Sequence, residues 1–149
     1  MIRNHLLTWM TFVPAIGMLA VALLPAGARG AIRWTAALFT AAPLALAVYL
    51  FRSFDPALAG VTDYHSFQFV EHYRWIPGFG IDYFVGVDGL SVTMVLLTAL
   101  LSFLCVFASW GIDRGVKGYF AMFLLLETGM IGTFVALDLI LFYVFWEIM

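Results

Sequence analysis

The chain has 149 residues, of which 64% are hydrophobic and only 11% charged, whereas soluble domains carry about 25% charged residues. That balance excludes an ordinary soluble domain and points to an integral membrane protein. The net charge of −2 comes without a basic cluster, which speaks against nucleic acid as a partner, and the single cysteine, Cys105, excludes an internal disulfide and a cysteine-based metal site.

A membrane span needs about 20 mostly apolar residues. The first candidate runs from Leu6 to Leu24 and carries Pro14, which should kink it. Arg3 before this run and Ala26-Gly27-Ala28 after it also fit a cleaved secretory signal. The run is longer than the ~7–15 residues of a signal core, and strong membrane segments follow it, so a retained span is the better reading. The second span is Ile32 to Phe51, with Pro43 inside. The turn between them, Pro25 to Gly30, is short enough to make the two antiparallel neighbours. Residues 1–51 are thus two N-terminal transmembrane helices.

Residues 52–87 form the one long polar stretch, an extracytoplasmic loop. Phe67, Phe69, Glu71, Tyr73 and Trp75 share one parity; Ile81, Tyr83, Val85 and Val87 share another; Pro77-Gly78-Phe79-Gly80 lies between. Alternating aromatic and β-branched residues flanking a Pro/Gly turn predict a β-hairpin. Its aromatics suit a membrane–water interface. His65 and His72 are seven residues apart with Glu71 between them, but no tight ligand spacing supports a metal. The expectation is a solvated loop with ordinary histidines. Nor does the loop offer a nucleophile–base pair for an enzyme.

Residues 88–149 hold spans three to five. Asp88 is placed to cap the third helix, which runs to Trp110 and contains Cys105, read as a small packed hydrophobe. A polar turn from Gly111 to Lys117 follows, and then a fourth span from Gly118 to Ala136. Asp138 stands at a tight turn, where it should cap the fifth helix. That helix is still apolar at Met149, without a cap, a glycine or a basic anchor, so the chain reads as part of a longer protein. The fold class is an all-α polytopic membrane protein of about five transmembrane helices, the last truncated, with a short β-hairpin in the outer loop. The turns after spans one and three carry Arg29, Arg33, Arg114 and Lys117, which predicts that they are cytoplasmic and that the N-terminus and hairpin are outside.

Three carboxylates interrupt the otherwise apolar stretch from Gly118 to Met149: Glu127, Asp138 and Glu147. An ionisable group in hydrocarbon costs several kcal/mol, on the order of 3 by the mildest scales, and marks a functional site by default. Glu127 lies ten residues before Leu137 and Glu147 ten after it. At ~1.5 Å per residue both fall ~15 Å from the turn, near the middle of a ~30 Å hydrocarbon core. Transporters place acids at that depth. No basic residue of the chain reaches it, so each acid either holds a proton or takes a cation from elsewhere. Asp138 is expected to serve as a cap. Gly129, Gly132 and Thr133 form a small-residue strip that would let another helix approach.

The stretch Ala136-Leu-Asp-Leu-Ile-Leu-Phe-Tyr-Val-Phe-Trp-Glu147-Ile-Met resembles the fifth-helix motif of chain M of the proton-pumping NADH:quinone oxidoreductase, respiratory complex I. Gly86-Val-Asp-Gly-Leu-Ser91 and the preceding Trp75-Ile-Pro77 and Gly80-Ile resemble that family's segment before the third helix. The likeness runs from about Trp75 to Met149, and before it only the two-helix layout agrees. It implies an antiporter-like fold, with residues 88–149 opening a proton-translocating repeat. It implies that Glu147 is the family's essential glutamate, which pairs with a lysine on a later helix, and it supports Glu127 more weakly. It implies no redox cofactor in this chain, with NADH, FMN, iron–sulfur clusters and quinone in partner subunits. Partners would be other membrane-arm subunits, the lipid bilayer and protons, in a bacterial inner membrane. Two alternatives stand beside it. One is a subunit of a cation/proton antiporter or membrane hydrogenase; the other is a structural membrane subunit whose acids only tie helices together.

Overall fold

A computed structural model describes residues 5–58 and 67–149. In chain order the elements are helix α1 (Leu6–Leu23), α2 (Arg29–Ser53), strands β1 (Gln68–Ile76) and β2 (Ile81–Val87), then α3 (Gly89–Ala108), α4 (Val116–Val135) and α5 (Leu139–Ile148). The first four helices are long and apolar enough to cross a membrane. α1 and α3 each pack antiparallel against α2 and α4, α2 and α4 touch while running parallel, and α5 lies along α4.

Two helices start before the apolar runs that announce them. α2 starts at Arg29 and not Ile32, because helical hydrogen bonding continues through polar residues that a hydropathy window leaves out. α4 starts at Val116, directly after Gly115, whose φ of 64° supplies the left-handed turn out of the preceding loop. At this end of the bundle the Arg33 guanidinium donates to the Ile112 carbonyl (3.0 Å) and to Asp113 (3.1 Å), tying the α3–α4 turn to the start of α2. Trp34 and Trp110 meet edge to face at 5.3 Å there. Tyr73, Trp75 and Tyr83 gather at the opposite, hairpin end. The aromatic side chains thus bracket the apolar lengths as an interfacial belt does.

The hairpin forms as its alternation predicts. The strands are antiparallel, with Tyr73 opposite Tyr83 and Arg74 opposite Asp82. A 3-10 turn at Pro77–Phe79 and Gly80 at φ 64° reverse the chain. The register shifts twice, between Arg74 and Ile76 and, at a bulge where Phe69 takes φ 55°, between Gln68 and Glu71. Glu71 is the one residue of β1 that is buried. The Leu137 amide donates to the Phe84 carbonyl (2.8 Å) beside a bridge between Val85 and Ala136, so the α4–α5 turn adds itself to the edge of β2.

Two helix starts behave as their sequences require. Asp138 accepts from the amides of Ile140 and Leu141, both at 2.9 Å, and caps α5. Asp88 accepts from the Ser91 amide at 2.7 Å while the Ser91 hydroxyl accepts from the Asp88 amide at 2.8 Å, a reciprocal capping box at the start of α3. Partial burial pushes the Asp88 carboxyl up, but the hydrogen bonds from Ser91 and Leu90 outweigh it and hold the group below the usual aspartate range. A depressed folded-state pKa means the cap stabilises at neutral pH and its contribution is lost as the pH falls through that value. Asp88→Ala should therefore lower stability by about 1 kcal/mol at neutral pH. Melting curves of variant and parent should converge in strong acid.

Candidate functional site

The core is two apolar clusters with a polar gap between them. At the hairpin end, Leu6, Leu7 and Met10 of α1 pack with Ala47 and Leu50 of α2, Val92, Val95 and Ala99 of α3, and Ile131 and Val135 of α4. At the other end Val21 packs with Ile32, Ala36, Val106, Phe120 and Leu124. On each helix a buried polar residue falls between its two apolar sets: Thr11 on α1, Thr40 on α2, Ser102 on α3, and Glu127 with Thr128 on α4. Thr40 and Thr128 donate back to carbonyls of their own helices. The Thr11 hydroxyl, the Ser102 hydroxyl and both carboxyl oxygens of Glu127 are buried without a hydrogen-bond partner among the described residues.

Glu127 belongs to the core stripe of α4. Val116, Phe120, Leu124, Glu127 and Ile131 recur at spacings of three and four and all are buried. Gly129 and Gly132 lie on the other side of the same helix, where α5 sits. A side chain at Gly132 would collide with the Phe145 ring, and one at Gly129 would stand 3.1 Å from the Phe145 carbonyl and the Met149 amide. The small-residue strip is therefore filled by α5, at a close approach that only glycine permits.

That contact also fixes the relation of the two acids. Gly129 is level with residues 145 to 149, so Glu127 and Glu147 share one depth, as their distances from the turn predict. They do not share a site. Glu127 is fully buried and points away from α5 into the bundle of α1 to α4. Glu147 lies two residues beyond Phe145, about 200° around α5, and its side chain is exposed on the face turned away from α4. Asp138 stands apart from both, at the hairpin end.

A third polar centre was not anticipated. Glu71, expected in a solvated loop, is 4% exposed. Its Oε1 accepts from the Leu7 amide at 2.8 Å and weakly from the Thr8 amide at 3.4 Å, and its Oε2 accepts from the Thr8 hydroxyl. The start of α1, where His5 makes no side-chain capping bond, is thus capped from the hairpin. A carboxylate there meets the positive end of the helix dipole. The Tyr83 hydroxyl lies 2.9 Å from that of Thr8, and burial pushes the phenol above the ordinary tyrosine range, with a further rise from the Glu71 charge and an opposing effect of the Thr8 bond. His72 lies on the other side of the strand, 2.7 Å from Asp82. His65 lies outside the described residues. The only cue to Glu71 was the lack of an acidic residue in the first turn of α1.

No family model matches the chain. Among curated proteins it is similar to NADH-quinone oxidoreductase subunit M of Rhodobacter capsulatus, 40% identical over 149 residues, covering 97% of this chain and 27% of the relative. It is also similar to NAD(P)H-quinone oxidoreductase chain 4 3 of a Picosynechococcus strain, 37% identical over 144 residues, covering 94% of this chain and 25% of the relative. Its fold matches a chain of respiratory complex I from Thermus thermophilus with bound NADH at a TM-score of 0.73 and 27% identity, over 95% of this chain and 26% of that one. The chain is a homologue of NADH-quinone oxidoreductase subunit M. It spans about a quarter of the length of the subunit M and chain 4 relatives it matches. The likeness to subunit M and the apolar helices together make it a multi-pass membrane protein.

Proposed function

We propose that this chain is part of a membrane-arm subunit of a proton-pumping NADH:quinone oxidoreductase, and that Glu147 couples quinone reduction elsewhere in the complex to proton movement. The observation that carries this reading is the placement of Glu147. Its carboxyl stands at mid-depth, on the face of α5 turned away from its own bundle, with no ion-pair partner among the described residues. An acid facing lipid at that depth is costly, so the outer face of α5 is a face that further protein covers. A lysine from that covering surface would hold Glu147 ionised; its withdrawal would draw a proton onto the carboxyl, and its return would expel the proton. The chain itself contributes no redox group to this scheme. The short basic turns face the cytoplasm of a bacterial cell, and the hairpin faces outward.

The test is association and activity together. The full-length protein, tagged in its native membrane and solubilised gently, should carry flavin and iron–sulfur proteins with it, and membranes lacking it should lose NADH-driven proton pumping. Sodium efflux without NADH oxidation would assign it instead to an antiporter.

A further inference from the structure

We propose that Glu127 heads a second, internal proton site in the α1–α4 bundle, a water-bearing pocket separate from Glu147 that opens toward the hairpin through Thr11 and Thr8. The site takes water and the proton that water carries. This rests on the reading of the chain as a proton-moving subunit, and it adds a group and a route that the Glu147 scheme does not contain.

The argument begins with unpaired polar atoms. Both Glu127 oxygens and the hydroxyls of Thr11 and Ser102 are buried without partners among the described residues, in the gap between the two apolar clusters. Native interiors satisfy such groups with protein or with ordered water, each buried water joining about three of them. Pro14 adds another acceptor. Lacking an amide hydrogen, it leaves the Met10 carbonyl without its helix donor, one residue from Thr11. Helices packed ~8–10 Å apart bring such inward groups within reach of one bridging water.

The surroundings keep the carboxyl uncharged. Of the elements packed on α4, α1 has no ionisable group in its span. α2 carries Arg29 and Arg33 at one end, and Tyr49 and Arg52 toward the other. α3 has only Cys105, which is exposed; α5 has Tyr143 and Glu147, exposed on its far side; β2 has Asp82 and Tyr83 at the hairpin. Lys117 and Tyr119 lie at the far end of α4 itself. A bare carboxylate amid these neighbours would be prohibitively costly, so Glu127 carries its proton and donates it to water.

The route follows from helix geometry. Thr8 and Thr11 are three residues apart and so adjacent on one face of α1, ~5–6 Å between their Cβ atoms. Thr8 is already joined to Glu71 and Tyr83, at the part-buried margin of the hairpin. A chain of hydroxyls and waters thus leads from Glu127 past Thr11 to Thr8 and the Glu71 carboxylate.

Infrared spectroscopy of the assembled complex in lipid vesicles tests the site without reference to pumping. The carbonyl-stretch band of a protonated carboxyl should vanish in Glu127→Gln, survive in Glu147→Gln, and shift promptly on transfer to D2O. Thr11→Val should slow that shift on the order of tenfold, the rate equivalent of one lost hydrogen bond, and Thr11→Ser should restore it. Absence of a band removed by Glu127→Gln overturns the proposal, as does a band that D2O never shifts. Should Glu127→Gln fail to assemble, the exchange rates of parent, Thr11→Val and Thr11→Ser decide, and equal rates in all three overturn it. If Glu147→Gln pumps normally, the coupling scheme fails while the infrared result still stands for Glu127.

Discussion

Replacing Glu71 by alanine is expected to loosen the first helix from the hairpin and to lower stability by about 3 kcal/mol. Two strong acceptor bonds are lost, to the Leu7 amide and the Thr8 hydroxyl, and each bond to a charged group contributes roughly 1.5 kcal/mol or more. The Leu7 amide is then left buried without an acceptor. Tyr83 also loses the geometry that Glu71 imposes on its Thr8 partner. Glu71→Gln keeps the shape and one acceptor oxygen and should recover about half of the loss. Thermal unfolding of the full-length protein in detergent gives the stability, and hydrogen exchange at Leu7 and Thr8 gives the location. Unchanged protection of those amides in the alanine variant would remove Glu71 as the cap.

The second large effect is on transport. Glu147→Gln should reduce coupled proton pumping on the order of a hundredfold, the scale of a lost proton-transfer group. The amide preserves shape but cannot exchange a proton. Glu147→Asp keeps the charge and shortens the reach by one methylene, so it should retain part of the activity. Pumping and electron transfer must be followed together in the intact complex. Unchanged coupling in the Gln variant would end the proposal for this residue. A complex that fails to assemble with Gln, yet pumps fully with Asp, would assign Glu147 to packing and not to transport.

Much of this architecture was legible before any coordinates. The spans, the hairpin and the caps at Asp88 and Asp138 each follow from a local rule: a run length, a period of two, an acid before a helix. The common depth of Glu127 and Glu147 followed from counting residues to the turn. What counting alone left open was direction. Whether an acid faces the bundle or leaves it depends on which side of α4 receives α5, and that is decided by Gly129 and Gly132 against Phe145. Glu127, to which the family resemblance lent the weaker support, is the one sealed in the core. Glu71 escaped entirely, because its partners are more than sixty residues away. No local pattern records that a strand residue will terminate a helix so distant in the chain.

The edge bond between Leu137 and Phe84 has a mechanical consequence. β1 grips the start of α1 through Glu71, while β2 grips the α4–α5 turn through that bond and the Val85–Ala136 bridge. The hairpin is therefore a yoke across two helix ends that are far apart in sequence. It sets the spacing of the starts of α1 and α5, which meet again further along through Phe12 and Phe145 (ring centroids 6.2 Å), so one surface element decides how these two helices enter the bundle.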